Sequence, residues 1–103
     1  ETSGQHLAPL LEAIERQCSV IIQYAAYQQP VVARQVDPYG LLFRLGRWYL
    51  CGYCHLRREL RTFRLDRLQH IELHPHPFQR PAGFDSAEHF NRSLFEMPGN
   101  LEV

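Results

Sequence analysis

The segment RRELRTFRLDRL, residues 57–68, carries an arginine at every third position, with apolar residues between them. Two structures fit this pattern. In a helix, one face would collect the apolar residues Leu60, Phe63, Leu68 and Ile71, and the arginines would form a stripe. Alternatively, residues 60–64 form a strand, residues 65–67 a tight corner and residues 68–73 another strand. The segment alone leaves both alternatives open, so the rest of the chain has to decide between them.

Turn signals before this segment favour the strands. Asp37-Pro38-Tyr39-Gly40 fits a type I turn, and Gly46-Arg47 fits a tight hairpin. The apolar and β-branched runs around these turns predict four strands, at residues 19–24, 31–36, 41–45 and 48–55. Short strands in series predict a small β-barrel, and residues 60–64 and 68–73 then supply its last two strands.

The two ends of the chain have different patterns. Apolar residues at helical spacing predict a helix over residues 6–17. Residues 74–77, HPHP, are expected to be irregular because proline lacks a backbone donor. Asp85 with Glu88 predicts a capped short helix that reaches about residue 90. The predicted units are residues 1–17, an N-terminal helix packing on the barrel, residues 18–78, the barrel, and residues 79–103, a tail with a short helix that begins a further extension.

The charges are balanced but unevenly placed. The 103 residues have zero formal net charge, with eleven arginines and no lysine. Seven of the arginines lie in residues 44–67, against Glu59 and Asp66 alone. A neutral chain with one basic strip predicts a local anionic ligand and not general adhesion to nucleic acid. No apolar run approaches the ~20 residues of a membrane span, and we expect a cytoplasmic protein without membrane contact.

Enzymatic and metal chemistry find little support in the sequence. The three cysteines are an odd number, which favours free thiols in a reducing compartment. Cys51 and Cys54 stand three apart in a predicted strand, so their side chains point to opposite faces. His74 and His76 are too few ligands for a metal ion, and no serine lies in a nucleophile elbow. We therefore expect no catalytic residue, metal or cofactor, and the protein is not expected to be an enzyme.

At residues 46–50, GRWYL, the chain resembles the WYL domains of bacterial transcription regulators. Further segments resemble the same family, over about residues 7 to 95: VDPYGL at 36–41, YCHLR at 53–57, RTFRLDRL at 61–68, FQRP at 78–81 and Phe84-Asp85. The resemblance implies an Sm-like or SH3-type small barrel, mainly β, of about five to six strands with an N-terminal helix and a short C-terminal helix.

The resemblance also implies a function. The family's domain binds a nucleotide or a short single-stranded nucleic acid as effector, and this changes how an attached domain binds DNA. Operator DNA would be contacted only through a winged helix-turn-helix domain that this chain lacks, and a homodimer is a further expected partner. The ligand-binding residues carried over by the resemblance are Tyr24, His55, Arg61, Arg64 and Arg67. Ala25-Ala26 departs from the family, which often has a basic residue and a serine there.

The arginine strand suggests how such a site is built. In a strand, Arg61 and Phe63 share one face and Thr62 and Arg64 the other, and the corner re-aims Arg67. Arg64 and Arg67 are then expected to converge beside His55 as a phosphate clamp. A base could stack on Tyr24, Tyr39 or Tyr53. Two alternatives remain: the arginines form a structural ion-pair network with Asp37, Asp66 and Glu72, or the domain is a small interaction barrel that pairs with a peptide or partner subunit.

Overall fold

Antiparallel pairing of neighbouring strands builds most of the sheet. The computed structural model describes residues 4–95 and 101–102, with the strand order β5-β1-β2-β3-β4-β6. Its elements are α1 (Gly4–Arg16), β1 (Cys18–Ala25), β2 (Val31–Arg44), β3 (Arg47–Cys54), β4 (Glu59–Arg64), a 3₁₀ turn (Leu65–Arg67), β5 (Leu68–Pro77), α2 (Ser86–Phe95) and β6 (Leu101–Glu102). Among the strands that the structure describes, β6 alone pairs in parallel, beside β4.

The predicted fold class is confirmed. The protein is mainly β, with a helix before the sheet and a short helix after it. Residues 57–68 form a turn, a strand and a tight corner before β5, as the strand alternative predicted. The sheet is open, because β5 and β6 at its two ends do not pair with each other. The molecule therefore has a small barrel-like arrangement without complete closure.

The core lies between α1 and the inner face of the sheet. Strand alternation places one apolar set from each strand on that face, and α1 covers the set with Leu10 and Ala13. The other fully buried members of this cluster are Val20, Ile22, Tyr24, Val36, Leu50, Cys54, Phe63 and Leu65. The outer face is covered in part by α2, where Phe90 lies 4.7 Å from the ring of Tyr49. The sheet consequently has an apolar contact on both faces.

The predicted turn at Asp37–Gly40 is wrong, because these residues lie inside β2. The pairing of β2 with β3 is irregular between Pro38 and Gly40, as at a β-bulge. Proline is tolerated at a bulge, where no ladder donor is needed. Tertiary contacts hold the segment extended: Ser19 donates a 2.5 Å hydrogen bond to Asp37, and the ring of Tyr39 packs 5.3 Å from that of Phe84.

The predicted irregular segment at residues 74–77 is also wrong, since β5 continues to Pro77. Within the described residues, β5 lies at the end of the sheet and pairs with β1 alone. Prolines are accepted in an edge strand when their nitrogens face the unpaired side. The N–H of Phe78 donates to the carbonyl of Gln17 on the β1 side, and successive strand residues alternate in direction. The nitrogen of Pro77 therefore faces the open edge, whereas the pairing of β5 with β1 is irregular between Leu73 and Pro77, the stretch that contains Pro75.

Both helices are close to their predicted positions. α1 begins two residues earlier than expected and ends at Arg16, where Gln17 adopts a left-handed φ of 50°. Asp85 caps α2 by accepting hydrogen bonds from the N–H groups of Ala87 and Glu88, at 2.9 and 3.2 Å. α2 extends to Phe95, beyond the predicted end. Residues 96–100 of the predicted tail lie outside the described part. No described helix has the length and apolar character needed to span a membrane.

The cysteines of β3 point to different sides of the sheet. Cys54 belongs to the inner core cluster, whereas Cys51 lies 4.0 Å from Thr62 Oγ1 and 3.9 Å from the carbonyl oxygen of Ser86. Burial raises the pKa of the Cys51 thiol to about 11. A thiol with so high a pKa is a weak nucleophile near neutral pH. The geometry agrees with packing and not with redox chemistry for this pair.

Candidate functional site: the arginines after strand β4

β4 and the 3₁₀ turn position the predicted arginines. Phe63 enters the inner core, and its neighbour Arg64 is paired across the ladder with Tyr49 on the outer side. Leu65 is fully buried, so it fixes the turn that follows. This turn carries Asp66 and Arg67 at the surface before β5 begins at Leu68. The apolar residues in the segment thereby hold the charged ones in place.

Tyr24 is a structural support for this segment. It is fully buried, and its hydroxyl accepts a 3.0 Å hydrogen bond from the backbone N–H of Arg64. Its ring meets that of Phe63 edge-on, at 5.0 Å between centroids. A ring that is fully buried and packed in this way has no exposed face on which a base could stack. Tyr24 therefore joins β1 to the start of the turn, and it offers no stacking surface.

Arg64 forms a bidentate pair with Asp66. Its Nε lies 2.9 Å from Oδ1 and its Nη2 lies 2.6 Å from Oδ2, while Nε of Arg47 lies 3.7 Å from the same carboxylate. The hydrogen bond from Arg64 is the main cause that lowers the pKa of Asp66, and it correspondingly raises the pKa of Arg64. The structural ion-pair alternative is thus correct for Asp66. Any anion that binds Arg64 has to compete with this carboxylate.

Asp66→Asn should make the protein less stable near neutral pH. Since folding lowers the pKa of Asp66, its charge stabilises the fold above the ordinary carboxylate pKa of about 3.9. That contribution is lost as the pH falls through the lowered pKa. We expect the melting temperatures of wild type and variant to differ most near neutral pH and to converge in acid. Thermal melts over a pH series test this, and a difference independent of pH would contradict it. Glu88→Gln, which breaks the more exposed pair with Arg92, is the matched control.

Arg61 and Arg67 have different surroundings. Arg61 is paired with Glu59 two residues earlier in β4, and only 15% of its side chain is exposed. The guanidinium of Arg67 lies 5.5 Å from the ring centroid of Tyr27, in the loop between β1 and β2. Within the described residues, Nε of Arg67 is buried and has no hydrogen-bond partner. Arg67 is therefore the predicted site arginine that stacks on an exposed aromatic ring.

His55 lies in a second polar cluster, at the other end of β3. Its Nε2 is 2.9 Å from Oδ1 of Asp37, and its ring lies 6.0 Å from that of His76. His74 stacks on His76 at 6.2 Å. In the part of the chain that the structure describes, no three His, Cys, Asp or Glu side chains are grouped so that they could hold a metal ion. The contact with Asp37 gives His55 a structural partner.

The structure does not bring His55 to the arginines. In the β3–β4 ladder, Cys54 pairs with Glu59 and Tyr49 pairs with Arg64. Five residues of strand separate these two pairs, which is roughly 16 Å. The expected convergence of Arg64 and Arg67 beside His55 is therefore wrong. Tyr24, Arg64, Arg67 and Tyr27 are instead connected at one end of the sheet, and His55 lies at the other.

The sequence reasoning missed Arg34, which is buried, with only 4% of its surface exposed. Its guanidinium carbon lies 5.7 Å from the ring centroids of both Tyr24 and Phe63. Arginine over aromatic faces gains cation–π attraction. Arg34 stands two positions before core residue Val36, so strand alternation places it on the inner face. That charged residue on an apolar face was the available signal, but Arg34 lies outside the basic strip at residues 44–67.

An open pocket of about 310 Å³ lies elsewhere, between α1 and β5. Its lining includes His6, His70 and Ile71 but none of the five predicted site residues. His6 is buried there and lies 3.2 Å, through Nε2, from the carbonyl oxygen of Leu68. The pocket lacks the guanidinium groups that an anionic ligand would need. The turn after β4, with the loop that carries Tyr27, remains the better candidate site.

Comparisons with known proteins agree with this fold. Over 61 residues, the chain is 31% identical to an uncharacterized HTH-type transcriptional regulator, YobV of Bacillus subtilis, covering 59% of this chain and 20% of that protein. It is 35% identical over 65 residues to protein PafB of Mycobacterium bovis, covering 60% and 19%. The chain thus spans about a fifth of the length of these relatives.

A solved structure is similar as well. Proteasome accessory factor B/C (PafBC) of Arthrobacter aurescens matches with a TM-score of 0.67 and 30% sequence identity, covering 79% of this chain and 12% of that one. The family described as WYL domain matches residues 5–73, which include α1 except for its first residue, the first four strands, the 3₁₀ turn and part of β5. By this match, the chain belongs to the WYL domain family.

Proposed function

We propose that this chain is the effector-sensing domain of a longer bacterial transcription regulator. It binds a nucleotide or a short single-stranded nucleic acid, and it has no enzymatic activity of its own. A relative named as an HTH-type transcriptional regulator supports the regulatory role. The DNA-binding segment would belong to the longer polypeptide, and its action on chromosomal DNA makes the location cytoplasmic.

The observation that carries the proposal is the guanidinium of Arg67, which lies 5.5 Å from the ring centroid of Tyr27, an exposed side chain. Its Nε is buried, so the outer amino groups are the donors that a ligand would meet. Arg64 stands three residues earlier, in the same turn region, and Arg47 lies close to the Asp66 carboxylate. Guanidinium groups bind phosphate oxygens with charge-assisted, often bidentate hydrogen bonds. The turn therefore fits a phosphate-bearing ligand.

The other predicted residues have supporting parts in this proposal. Tyr24 fixes the backbone of Arg64, and Arg61, paired with Glu59, lies in the strand that leads into the turn. His55 is too distant to contact a phosphate at Arg67, and it is occupied by Asp37. We propose that His55 lies outside the phosphate site. The predicted phosphate clamp of Arg64, Arg67 and His55 is thereby reduced to the two arginines.

A compact site favours single strands and nucleotides over duplex DNA. The candidate residues occupy one turn and one neighbouring loop, whereas duplex binding proteins set a helix or ribbon into a groove. Unstacked bases can also reach aromatic side chains, which bases within a duplex cannot. The ligand class thus follows from the size of the site together with its arginine chemistry.

A second candidate function is supported by β6. The backbone of Leu101–Glu102 pairs in parallel with Thr62 and Phe63 of β4. β4 therefore has an edge that accepts an extended segment, which is how many small domains bind peptides. In that case the arginine turn would be a structural network beside a peptide-binding edge. Binding that requires an unmodified β4 edge and is insensitive to salt would favour this second function.

Arg67→Ala should weaken ligand binding while the protein stays folded. The probes are a fluorescent four-nucleotide single-stranded DNA and a duplex of the same sequence, titrated over a salt series. We expect the single strand to bind more tightly. Its affinity should fall with salt at about 0.7 log units per log salt for each phosphate neutralised, and the variant should lose about one such contact. Arg64→Ala should have a smaller effect, because Asp66 already occupies that side chain.

His55→Ala is the matched control, since it removes a polar ring at the far end of the ladder. It should bind the single strand as wild type does. Tighter binding of the duplex at every salt concentration would overturn the proposed function. So would unchanged affinity in Arg67→Ala, with circular dichroism showing that the variant is folded.

A further inference from the structure

Tyr27 is the tyrosine with the most accessible ring. All five tyrosines of the chain lie in the described part, and Tyr27 is 59% exposed. Tyr24 is fully buried, Tyr39 packs against Phe78 and Phe84, and Tyr49 packs against Phe90. Tyr53 is partly buried and meets His55, at the end of β3 away from the arginines. Of the tyrosines, only Tyr27 therefore combines an open ring with a position beside the arginine turn.

The loop holds the Tyr27 ring in a defined place. The N–H of Gln29 donates to the carbonyl of Ala26 at 2.9 Å, which closes a turn around Tyr27 and Gln28. Gln28 stands in the left-handed region, with φ of 57°, and its amide donates to the Tyr27 hydroxyl at 3.4 Å. An exposed aromatic ring at the surface of a monomer loses no hydrogen bond when a flat ligand covers it. Such a ring is suited to stacking.

Arg67 connects this ring to the phosphate chemistry. Its guanidinium lies over the Tyr27 ring at 5.5 Å, so one side of the ring is occupied by the cation. A stacked guanidinium keeps its N–H groups directed outward in its own plane, where they can donate to phosphate oxygens. Its Nε is buried, so a phosphate would meet the two outer amino groups. The open face of the ring and these donors thus lie side by side.

We propose that Tyr27 and Arg67 form a platform for one nucleotide, in which the base stacks on the open face of Tyr27 and Arg67 binds the adjoining phosphate. This rests on the proposed function and adds to it Tyr27 as the residue that contacts the base. It also accounts for the sequence that follows Tyr24. Ala25-Ala26 supply no hydroxyl or charge, and Tyr27 directly after them supplies an aromatic surface instead.

The test compares a ligand that has bases with one that lacks them. The probes are a four-nucleotide deoxyadenylate and a four-unit abasic deoxyribose phosphate of the same charge, with AMP as a single-nucleotide probe. Wild-type protein should bind the deoxyadenylate roughly 5- to 150-fold more tightly than the abasic strand, which corresponds to about 1–3 kcal/mol for one stacked base. Tyr27→Ala should remove this preference and leave abasic binding unchanged. Tyr27→Phe, which keeps the ring, should behave as wild type.

Leu56→Ala is the control for truncating an exposed apolar side chain in a hairpin turn, because Leu56 is 55% exposed at the β3–β4 turn. It should alter neither affinity. If Tyr27→Ala keeps the full preference for deoxyadenylate, the platform is wrong although the phosphate site stands. If wild-type protein binds neither strand nor AMP, the proposed function itself is wrong. If AMP also binds and Tyr27→Ala weakens that binding, a mononucleotide is a sufficient ligand. If Tyr27→Ala weakens binding of the deoxyadenylate strand alone, the platform belongs to a longer ligand.

Discussion

Phe63→Ala should remove most of the protein's stability. Phe63 is fully buried, meets Tyr24 edge-on and lies under the guanidinium of Arg34. Removal of a buried phenylalanine ring costs roughly 3–5 kcal/mol, whereas small domains have a total stability of about 5–15 kcal/mol. The loss is increased here because a buried cation is left beside the cavity. Thermal melting should show a decrease in melting temperature of roughly 12 °C or more.

Phe43→Ala makes the same chemical change at an exposed position. Phe43 is 55% exposed near the β2–β3 hairpin, where its ring contacts Trp48 at 5.3 Å. It should melt within a few degrees of wild type. Equal melting temperatures for the two variants would mean that the inner face around Phe63 is not the main core. Because this loss is independent of ligand, the result also separates folding defects from the binding defect expected for Arg67→Ala.

Gly52→Ala should have the second largest effect. Gly52 lies in β3 opposite the bulge of β2, and an added Cβ would overlap the backbone oxygen of Asp37 and lie 3.0 Å from Cγ1 of Val36. A flexible side chain can move away from such a contact, but a strand backbone cannot move without disturbing its ladder. Overpacking usually costs about 1–3 kcal/mol, and we expect at least the upper end of this range. Chemical denaturation measures it directly.

Gly4→Ala provides the matched control. A Cβ at Gly4 would meet nothing within 4 Å, and the residue lies in the first turn of α1. Alanine is favoured over glycine in helices by up to about 1 kcal/mol, so this variant should be unchanged or slightly more stable. If Gly52→Ala were as stable as Gly4→Ala, the close approach of β2 and β3 would be wrong. The Gly52 variant should also displace Asp37 from His55, because the clash falls on the Asp37 backbone.

The strands could be predicted because local and serial patterns agree. The segment at residues 57–68 was ambiguous alone, and the series of predicted strands before it, with the hairpin at Gly46-Arg47, correctly favoured strand, corner and strand. The predicted turn at Asp37–Gly40 is wrong because its local pattern conflicts with tertiary contacts. Its residues have strong turn preferences, but the Ser19–Asp37 hydrogen bond and the packing of Tyr39 keep it within β2. Such contacts join residues distant in sequence, and no local pattern contains them.

The candidate site was less predictable than the fold. Faces of a strand follow from alternation, so the separation of Phe63 from Arg64 was foreseeable. The distance between His55 and Arg64 depends on the register of two strands and the length of their connection, which residue types alone did not specify. The proposed role of Tyr27 depends on which tyrosines become buried. The sequence thus indicated the arginines, while the surroundings of each side chain required the folded chain.

The proline-bearing edge of β5 has a consequence for the behaviour of the protein at high concentration. An unprotected edge strand offers alternating donors and acceptors to any other extended chain, and this is a common start of aggregation. At Pro77 the nitrogen faces outward without hydrogen, so the open side of β5 lacks a donor there, and the strand is irregular between Leu73 and Pro77. A second molecule cannot continue the ladder there. The fold can therefore remain an incomplete barrel without inviting amyloid-like growth from that side.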